Sequence, residues 1–332
     1  MTQATKDNLL HIRNLDVSFQ QRAGIAHALR GVDLNLKSGE THALVGESGS
    51  GKTVASMSVM GLLATPPCQV NGGEIIFQGK NLLSLSENQR RRLRGKDIGM
   101  IFQEPGKYLN PAYKIGEQIS ETLILHFAMT RNTAVEQALE FLNLVGLGKS
   151  KRVLNSYPHE LSGGMKQRAM IAMAVACHPA LLIADEPTTA LDVTLQLQIL
   201  SLIRSLREKF SMGILFISHD LGVVKEIADK ISVIYAGKIV ESATQQQLFT
   251  NPIHPYTNLL LLSIPDAAKR GTRLRVIPGM VPDAENIPEG CSFHPRCPLA
   301  EEKCRREIPP TIDYGDGHSA ACFFIGKKWI DS

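Results

Sequence analysis

A glycine-rich run near residue 50 has the composition of a loop that wraps around a phosphate group. Residues 46–53 read Gly-Glu-Ser-Gly-Ser-Gly-Lys-Thr, which satisfies the pattern G-x-x-x-x-G-K-[ST]. The glycines let successive backbone N–H groups point inward, and a helix that begins near Lys52 adds the positive end of its dipole. In such a loop Lys52 contacts the β- and γ-phosphates and the Thr53 hydroxyl is a ligand of Mg²⁺. The run predicts a nucleoside triphosphate site formed by Gly46, Ser48, Gly49, Ser50, Gly51, Lys52, Thr53 and Val54.

Two adjacent carboxylates follow a short apolar run at 181–184. An apolar run of this length is typical of a buried strand of a parallel sheet. Alone, Asp185 and Glu186 would be solvated charges at a strand end. Beside a phosphate loop, Asp185 is placed to coordinate Mg²⁺ and Glu186 to act as the general base that polarises the attacking water. The pair therefore predicts hydrolysis of the bound triphosphate.

Three further short motifs are weak individually. Leu-Ser-Gly-Gly at 161–164 opens a helical segment, whose N-terminus is suited to bind an anion. Ala-Leu-Asp ends at Asp192, and His219 follows the apolar run 213–217. A single histidine is usually structural and a Ser-Gly-Gly is usually a turn, so only their order along the chain makes them informative.

The segments that must position these residues alternate between strand-like and helix-like patterns. Helical periodicity covers 54–63, 132–144 and 163–176, and residues 231–241 read as a hairpin with a glycine turn. The pattern predicts an α/β chain with helices inserted between two strands of one parallel sheet. The strand-like segments are 32–36, 42–45, 74–78, 97–102, 181–184 and 213–217.

Composition sets limits on the class of protein. The chain has 332 residues, of which 43% are hydrophobic and 20% charged, so gross disorder is excluded. The net charge of +4 and the 5% of aromatic residues give no support for nucleic acid binding. No apolar run approaches the ~20 residues that a membrane helix needs, and the N-terminus lacks the apolar region of a secretory signal. We therefore expect a cytoplasmic chain.

Prolines become dense after residue 250, and four of the six cysteines lie in the same region. This change predicts a domain at 1–250 and a small, loop-rich domain at 251–332. Four thiolates suit tetrahedral zinc or an iron–sulfur cluster, and the absence of a C-x2-C pair makes zinc less natural. Four reduced cysteines without metal are the alternative. The residues are Cys291, Cys297, Cys304 and Cys322.

The ordered set GESGSGKT, FQEP, LSGGMKQ, LLIADE, ALD and SHD resembles the ATP-binding subunit of ABC transporters over residues 1 to about 250. The resemblance implies a P-loop ABC ATPase domain: a RecA-like parallel sheet core, an antiparallel β subdomain and a helical subdomain inserted at about 104–180. It also implies a head-to-tail pair of such domains. Ser162, Gly163 and Gly164 of one would then contact the ATP held by the other.

The same resemblance implies roles for four more residues. Gln103 corresponds to the glutamine that contacts Mg²⁺ and the attacking water and senses the transmembrane subunit. Asp192 corresponds to the aspartate at the dimer interface, and His219 to the histidine that contacts the γ-phosphate. Phe19 occupies the place of the aromatic residue that stacks on adenine; a core strand aromatic is the alternative.

The C-terminal region resembles the extension found in ATPases of dipeptide, oligopeptide and nickel importers. The similarity rests on Asn-Pro at 251–252, His-Pro-Tyr-Thr at 254–257, Phe-His-Pro-Arg-Cys-Pro at 293–298 and the four cysteines. It implies a [4Fe–4S] cluster on those cysteines, with zinc as the alternative. A small domain with few apolar residues would gain folding energy from such a clip.

The resemblance also implies partners and a location. These are two integral-membrane permeases, a second related ATPase that forms a heterodimer with this chain, and an extracytoplasmic substrate-binding protein, but no nucleic acid. The chain would lie peripherally on the cytoplasmic face of the bacterial inner membrane and energise peptide import. The alternatives are import of nickel or another small solute, a soluble ABC ATPase that acts on DNA or ribosomes, and a metal-sensing regulator.

Overall fold

The computed structural model describes residues 8–22, 24–189, 191–264 and 277–324. Its strands are β1 Asn8–Gln20, β2 Ile25–Lys37, β3 Thr41–Val45, β4 Cys68–Phe77, β5 Lys80–Asn81, β6 Ile98–Ile101, β7 Leu181–Asp185, β8 Gly213–Ser218, β9 Lys230–Tyr235, β10 Lys238–Thr244, β11 Ile312–Asp313 and β12 Ser319–Ala320.

Three α-helices lie where the periodicity predicts them, at 52–60, 131–144 and 163–175, whereas the long helix at 193–210 was not predicted. The helix ranges are α1 Lys52–Met60, α2 Glu87–Leu93, α3 Pro105–Tyr108, α4 Ile115–Phe127, α5 Arg131–Leu144, α6 Ser150–Leu154, α7 Gly163–Val175, α8 Val193–Phe210, α9 Leu221–Ile227, α10 Gln245–Thr250, α11 Pro255–Leu262 and α12 Glu302–Arg306. Within the described ranges, no helix combines the length and the apolar character needed to span a bilayer.

The described chain divides into two compact units. The first takes its residues from 8–10, 36–40 and 81–217, and the second takes its residues from 11–35, 41–80, 218–264 and 277–324.

Parallel strands form the core of the first unit. β7 lies between β6 and β8, with Ile98 opposite Leu181 and Leu181 opposite Gly213. Every residue of β7 is buried, which explains the uninterrupted apolar sequence of this strand. The helices α3 to α7 all occur in the chain between β6 and β7, so the predicted insertion of helices between two strands of one sheet is confirmed.

Two sheets build the second unit. One has the order β2-β1-β4-β5, and the other runs β11-β12-β10-β9-β3. β3 and β9 are parallel, whereas β9 and β10 form the antiparallel hairpin that the glycine turn predicts. That turn is tight because Ala236 and Gly237 have φ angles of 44° and 78°, the left-handed region that such two-residue turns require.

The C-terminal region joins this second sheet. Ser319 and Ala320 pair with Ser242 and Glu241 of β10, and β12 also pairs with β11. A domain boundary at residue 250 stays a prediction, but residues on the far side of it add two strands to a sheet that begins before it.

Candidate functional site

The phosphate-loop sequence forms the connection between β3 and α1. A Cβ atom on Gly46 would lie 2.3 Å from the carbonyl oxygen of Ile234, and one on Gly51 would lie 2.7 Å from that of Ala28. Gly51 also has a φ of 107°, which side chains rarely allow. Both glycines therefore let the loop lie directly against neighbouring backbone.

The loop encloses a positive charge. The side chain of Lys52 is only 5% exposed, and its Nζ donates to the carbonyl oxygens of Gly46 at 2.8 Å and Glu47 at 2.9 Å. Helix α1 begins at Lys52, directly after Gly51, so its N-terminus, the end of a helix that favours an anion, lies at the loop. The arrangement matches what a bound phosphate needs.

The other predicted loop residues differ in exposure. Ser48, Gly49 and Thr53 are exposed, so the Thr53 hydroxyl is accessible for a cation, and Val54 is half-buried. Ser50 is buried, and its hydroxyl has no hydrogen-bond partner within the described part of the chain.

In the first unit, the carboxylate pair closes β7. Asp185 is the last residue of the strand and is 4% exposed. Glu186 follows with a φ of 47°, an uncommon conformation for a residue with a side chain. Its backbone N–H donates to the carbonyl oxygen of Ile217 at 2.9 Å, which holds this conformation in place.

The carboxylate of Glu186 is oriented by two donors. Gln103 Nε2 lies 2.8 Å from Oε2, and the Thr189 hydroxyl lies 2.9 Å from the same oxygen. The structure thus brings the predicted Gln103 and Glu186 together. Thr189 is a contact that the sequence analysis missed, and its only signal is a hydroxyl three residues beyond the predicted base.

The Leu-Ser-Gly-Gly motif begins α7. Ser162 caps this helix by accepting the N–H of Met165 at 3.4 Å, while Gly163 faces open space. A Cβ on Gly164 would lie 2.6 Å from Leu195 Cδ2. Asp192 caps α8 by accepting the N–H of Leu195 at 2.9 Å. Leu195 therefore contacts both motifs, and Gly163 is the glycine of the pair with open space around its Cβ position.

Phe19 and His219 lie in different parts of the second unit. Phe19 lies on β1 and is half-buried, so it is not one of the fully buried core aromatics. His219 is exposed and follows β8 directly. The next residue, Asp220, caps α9 by accepting the N–H groups of Gly222 and Val223.

The four C-terminal cysteines all lie in the second unit, where Cys304 and Cys322 are buried and Cys291 and Cys297 are half-buried. Burial raises the pKa of Cys297 to about 12, and charge on Cys291, Cys322 and Cys304 acts in the same direction. Burial also raises the pKa of Cys291, helped by charge on Cys304 and Cys322. Among the residues that the structure describes, no group of three or more His, Cys, Asp or Glu side chains is arranged to hold a single metal ion.

The sequence analysis also missed two contacts to the phosphate loop. Arg296 binds the Glu47 carboxylate with both of its terminal nitrogens, and the backbone N–H of Glu47 donates to the Tyr256 hydroxyl. Nothing in the local sequence around these residues indicates a contact to a loop more than two hundred positions earlier.

Comparison with known proteins yields two family matches. The model for "ABC transporter" matches residues 29–189, and the model for "Oligopeptide/dipeptide transporter, C-terminal region" matches residues 240–304.

Curated relatives match over almost the whole chain. A probable peptide ABC transporter ATP-binding protein, y4tR of Sinorhizobium fredii, is 50% identical over 318 residues, which are 96% of this chain and 95% of the relative. The oligopeptide transport ATP-binding protein AppD of Bacillus subtilis is 48% identical, over 96% of this chain and 98% of its own. The dipeptide transport ATP-binding protein DppD of Bacillus subtilis is 45% identical, over 97% of this chain and 96% of its own.

Solved structures show the same fold. The dimeric bacterial ABC transporter cassette MJ0796 aligns with a TM-score of 0.64 and 28% identity, over 71% of this chain and 98% of its own. The cbiO1 protein of Clostridium perfringens, part of an ABC transporter complex, aligns with a TM-score of 0.63 and 25% identity, over 74% of this chain and 92% of its own.

Proposed function

Because this chain belongs to the ATP-binding proteins of the ABC transporter family, we propose that it hydrolyses ATP to drive the import of peptides through membrane permeases. The observation that carries the proposal is the combination, in one chain, of a complete set of hydrolysis motifs with a C-terminal region of the oligopeptide/dipeptide transporter type. Relatives named for peptide, oligopeptide and dipeptide transport support the same substrate class.

The ATP site of this proposal assigns one task to each group. Lys52 and the N–H groups of the loop bind the phosphates. Mg²⁺ neutralises charge on the β- and γ-phosphates when it is bound, and the oxygen donors of Thr53, Asp185 and Gln103 are the hard ligands that it prefers. Gln103 points its amide nitrogen at Glu186, which leaves its amide oxygen for the cation. Glu186 takes the proton of the attacking water.

The remaining motif residues contact either ATP or a second ATPase subunit in this proposal. Ser162, Gly163 and Gly164, at the start of α7, contact the ATP of a second related ATPase, and Gly164 also packs on Leu195. Asp192 lies at the interface, His219 contacts the γ-phosphate, and Phe19 stacks on adenine. ATP then favours the closed pair because only that state binds it with both half-sites.

The wider assembly includes two integral-membrane permeases and an extracytoplasmic binding protein. The chain would bind peripherally to the cytoplasmic face of the inner membrane, with the helical insertion of about 104–180 in contact with the permeases. Exposed aromatic and aliphatic side chains in the insertion are available for such a docking contact; they include Tyr108, Tyr113, Leu125 and Phe127.

Transport assays test the substrate class. We expect that deletion of the gene abolishes uptake of labelled di- or oligopeptides, and that the intact gene restores it. Loss of nickel uptake with unchanged peptide uptake would replace the peptide proposal by the metal-importer alternative. Unchanged uptake of every candidate would contradict the import function.

We further propose that the four C-terminal cysteines bind a [4Fe–4S] cluster. The support is the match of residues 240–304 to the oligopeptide/dipeptide transporter C-terminal region, together with four cysteines in one region of the chain, the ligand set that such clusters take. Anaerobic purification followed by iron, sulfide and zinc analysis tests it. About four irons and four sulfides per chain are expected; one zinc, or no metal, would contradict the cluster.

A further inference from the structure

The acidic residue of the phosphate loop, Glu47, is held from two sides by the C-terminal region. Arg296 Nη1 lies 2.6 Å from Glu47 Oε2, and Nη2 lies 2.9 Å from Oε1. This is the bidentate geometry that makes arginine–carboxylate pairs strong and directional. On the backbone side, the N–H of Glu47 donates to the Tyr256 hydroxyl at 3.0 Å. Glu47 therefore has its side chain and its N–H fixed by residues outside the loop.

Both anchors are themselves rigid. Arg296 is 8% exposed, its Nε donates to the carbonyl oxygen of Pro278 at 2.8 Å, and its guanidinium lies over the ring of Tyr235. Tyr256 is fully buried. Its ring is 4.7 Å from Tyr235 and 5.3 Å from Phe293, measured between centroids. Because these side chains are locked by packing, they can impose one arrangement on Glu47.

The charge of Glu47 matters because of its position. It lies between Gly46 and Ser48 of a loop suited to a polyanion, and Glu47, Ser48 and Gly49 line one wall of a cavity of about 820 Å³. An unpaired carboxylate there would repel phosphate groups. Arg296 lies in the same cavity wall and supplies the compensating charge. The ion pair of Arg296 and Glu47 therefore leaves little net charge at the start of the phosphate loop.

We propose that Arg296 and Tyr256 are positioning residues of the ATP site, which neutralise and orient Glu47 so that the loop can receive a triphosphate. The inference rests on the proposed ATP binding and adds a function for the C-terminal region: it sets the nucleotide affinity of a loop that lies far from it in sequence. Arg296 directly precedes Cys297, so the cysteine segment and the phosphate loop are joined through one side chain.

The test is ATP affinity of the full-length chain, measured by titration with a fluorescent ATP analogue and by the KM of hydrolysis. We expect Arg296→Ala to raise the Kd and KM on the order of tenfold to a hundredfold, with a much smaller change in kcat. Arg306→Ala is the matched control, because Arg306 is exposed and pairs only with Glu302 on the same helix among the contacts described; its affinity should equal that of the unmodified chain.

A double variant distinguishes an electrostatic effect of the Arg296 substitution from a loss of local structure. The double variant Arg296→Ala with Glu47→Gln lacks both charges, so it should bind ATP more tightly than Arg296→Ala alone. Raising the ionic strength should narrow the gap between Arg296→Ala and the unmodified chain, because salt screens the repulsion. A merely structural arginine would give neither result.

Clear outcomes would overturn the proposal. These are unchanged ATP affinity in a folded Arg296→Ala variant, or a double variant that binds ATP no better than the single one. If Arg296→Ala does not fold, Arg296→Gln, which keeps much of the side-chain length without charge, replaces it in the same comparison. Failure of the unmodified chain to bind ATP would instead contradict the proposed function, so the two failures are distinguishable.

Discussion

Replacement of Glu186 by Gln is expected to stop ATP hydrolysis and leave ATP binding intact. Glutamine keeps the size of the side chain and an oxygen that can accept from Gln103 and Thr189, so the geometry around Oε2 is preserved. It cannot take a proton from water. Loss of a general base lowers kcat by about 10²- to 10⁴-fold, whereas the phosphate-binding residues of the loop are untouched. Steady-state hydrolysis and nucleotide titration on the same preparation measure both quantities.

The matched control is Glu208→Gln. Glu208 is exposed near the end of α8, so this variant makes the same chemical change away from any motif residue and should hydrolyse ATP at the rate of the unmodified chain. If Glu186→Gln retained more than about a tenth of the turnover, the assignment of Glu186 as general base would be wrong.

Replacement of Glu241 by Ala is expected to be the most destabilising single change in the C-terminal half of the second unit. Glu241 is fully buried. Its carboxylate accepts the N–H groups of Ile253 and His254, each at 2.8 Å, and lies 2.8 Å from His318 Nε2. One side chain thus ties the start of the C-terminal region and a turn close to β12 onto β10.

Removal of that carboxylate leaves buried donors without an acceptor. Removing one partner of a buried, hydrogen-bonded ionic contact costs about 3–5 kcal/mol. The free energy of unfolding of Glu241→Ala, measured by urea titration, should therefore be lower by that amount. Glu241→Gln keeps the shape of the side chain but places an amide hydrogen against one of the donors. Its free energy of unfolding should therefore lie between those of Glu241→Ala and the unmodified chain. Glu285→Ala removes an exposed carboxylate and serves as control. Equal stability of the two alanine variants would contradict the role of Glu241.

Much of the candidate site could be predicted because its signals are local. A phosphate loop needs glycines, a lysine and a hydroxyl within eight positions, and the buried strand before Asp185 is visible as an apolar run. The hairpin of β9 and β10 was predictable for the same reason, since its turn requires residues that tolerate positive φ. These features are determined by neighbours in the chain, and the sequence displays such neighbours directly.

Features that depend on distant neighbours could not be predicted. Whether Gly163 or Gly164 is open depends on the position of Leu195, and the orientation of Glu186 depends on a glutamine 83 residues earlier. The pairing of Glu47 with Arg296 has no local pattern at all, because either residue alone reads as an ordinary surface charge. The pairing of β12 with β10 could not be predicted either, because it is made through backbone hydrogen bonds that no side-chain pattern reveals.

The contact between Glu47 and Arg296 also has a consequence for biosynthesis. The two residues are 249 positions apart, so their contact closes one of the longest loops in the chain, and contacts of this kind form late in folding. During translation the phosphate loop leaves the ribosome well before its partner arginine, which is added 249 residues later. Between these two points a nascent chain therefore carries a phosphate loop whose acidic residue lacks its arginine partner, and if Arg296 positions Glu47 as proposed, we expect nucleotide affinity to rise once Arg296 has been added.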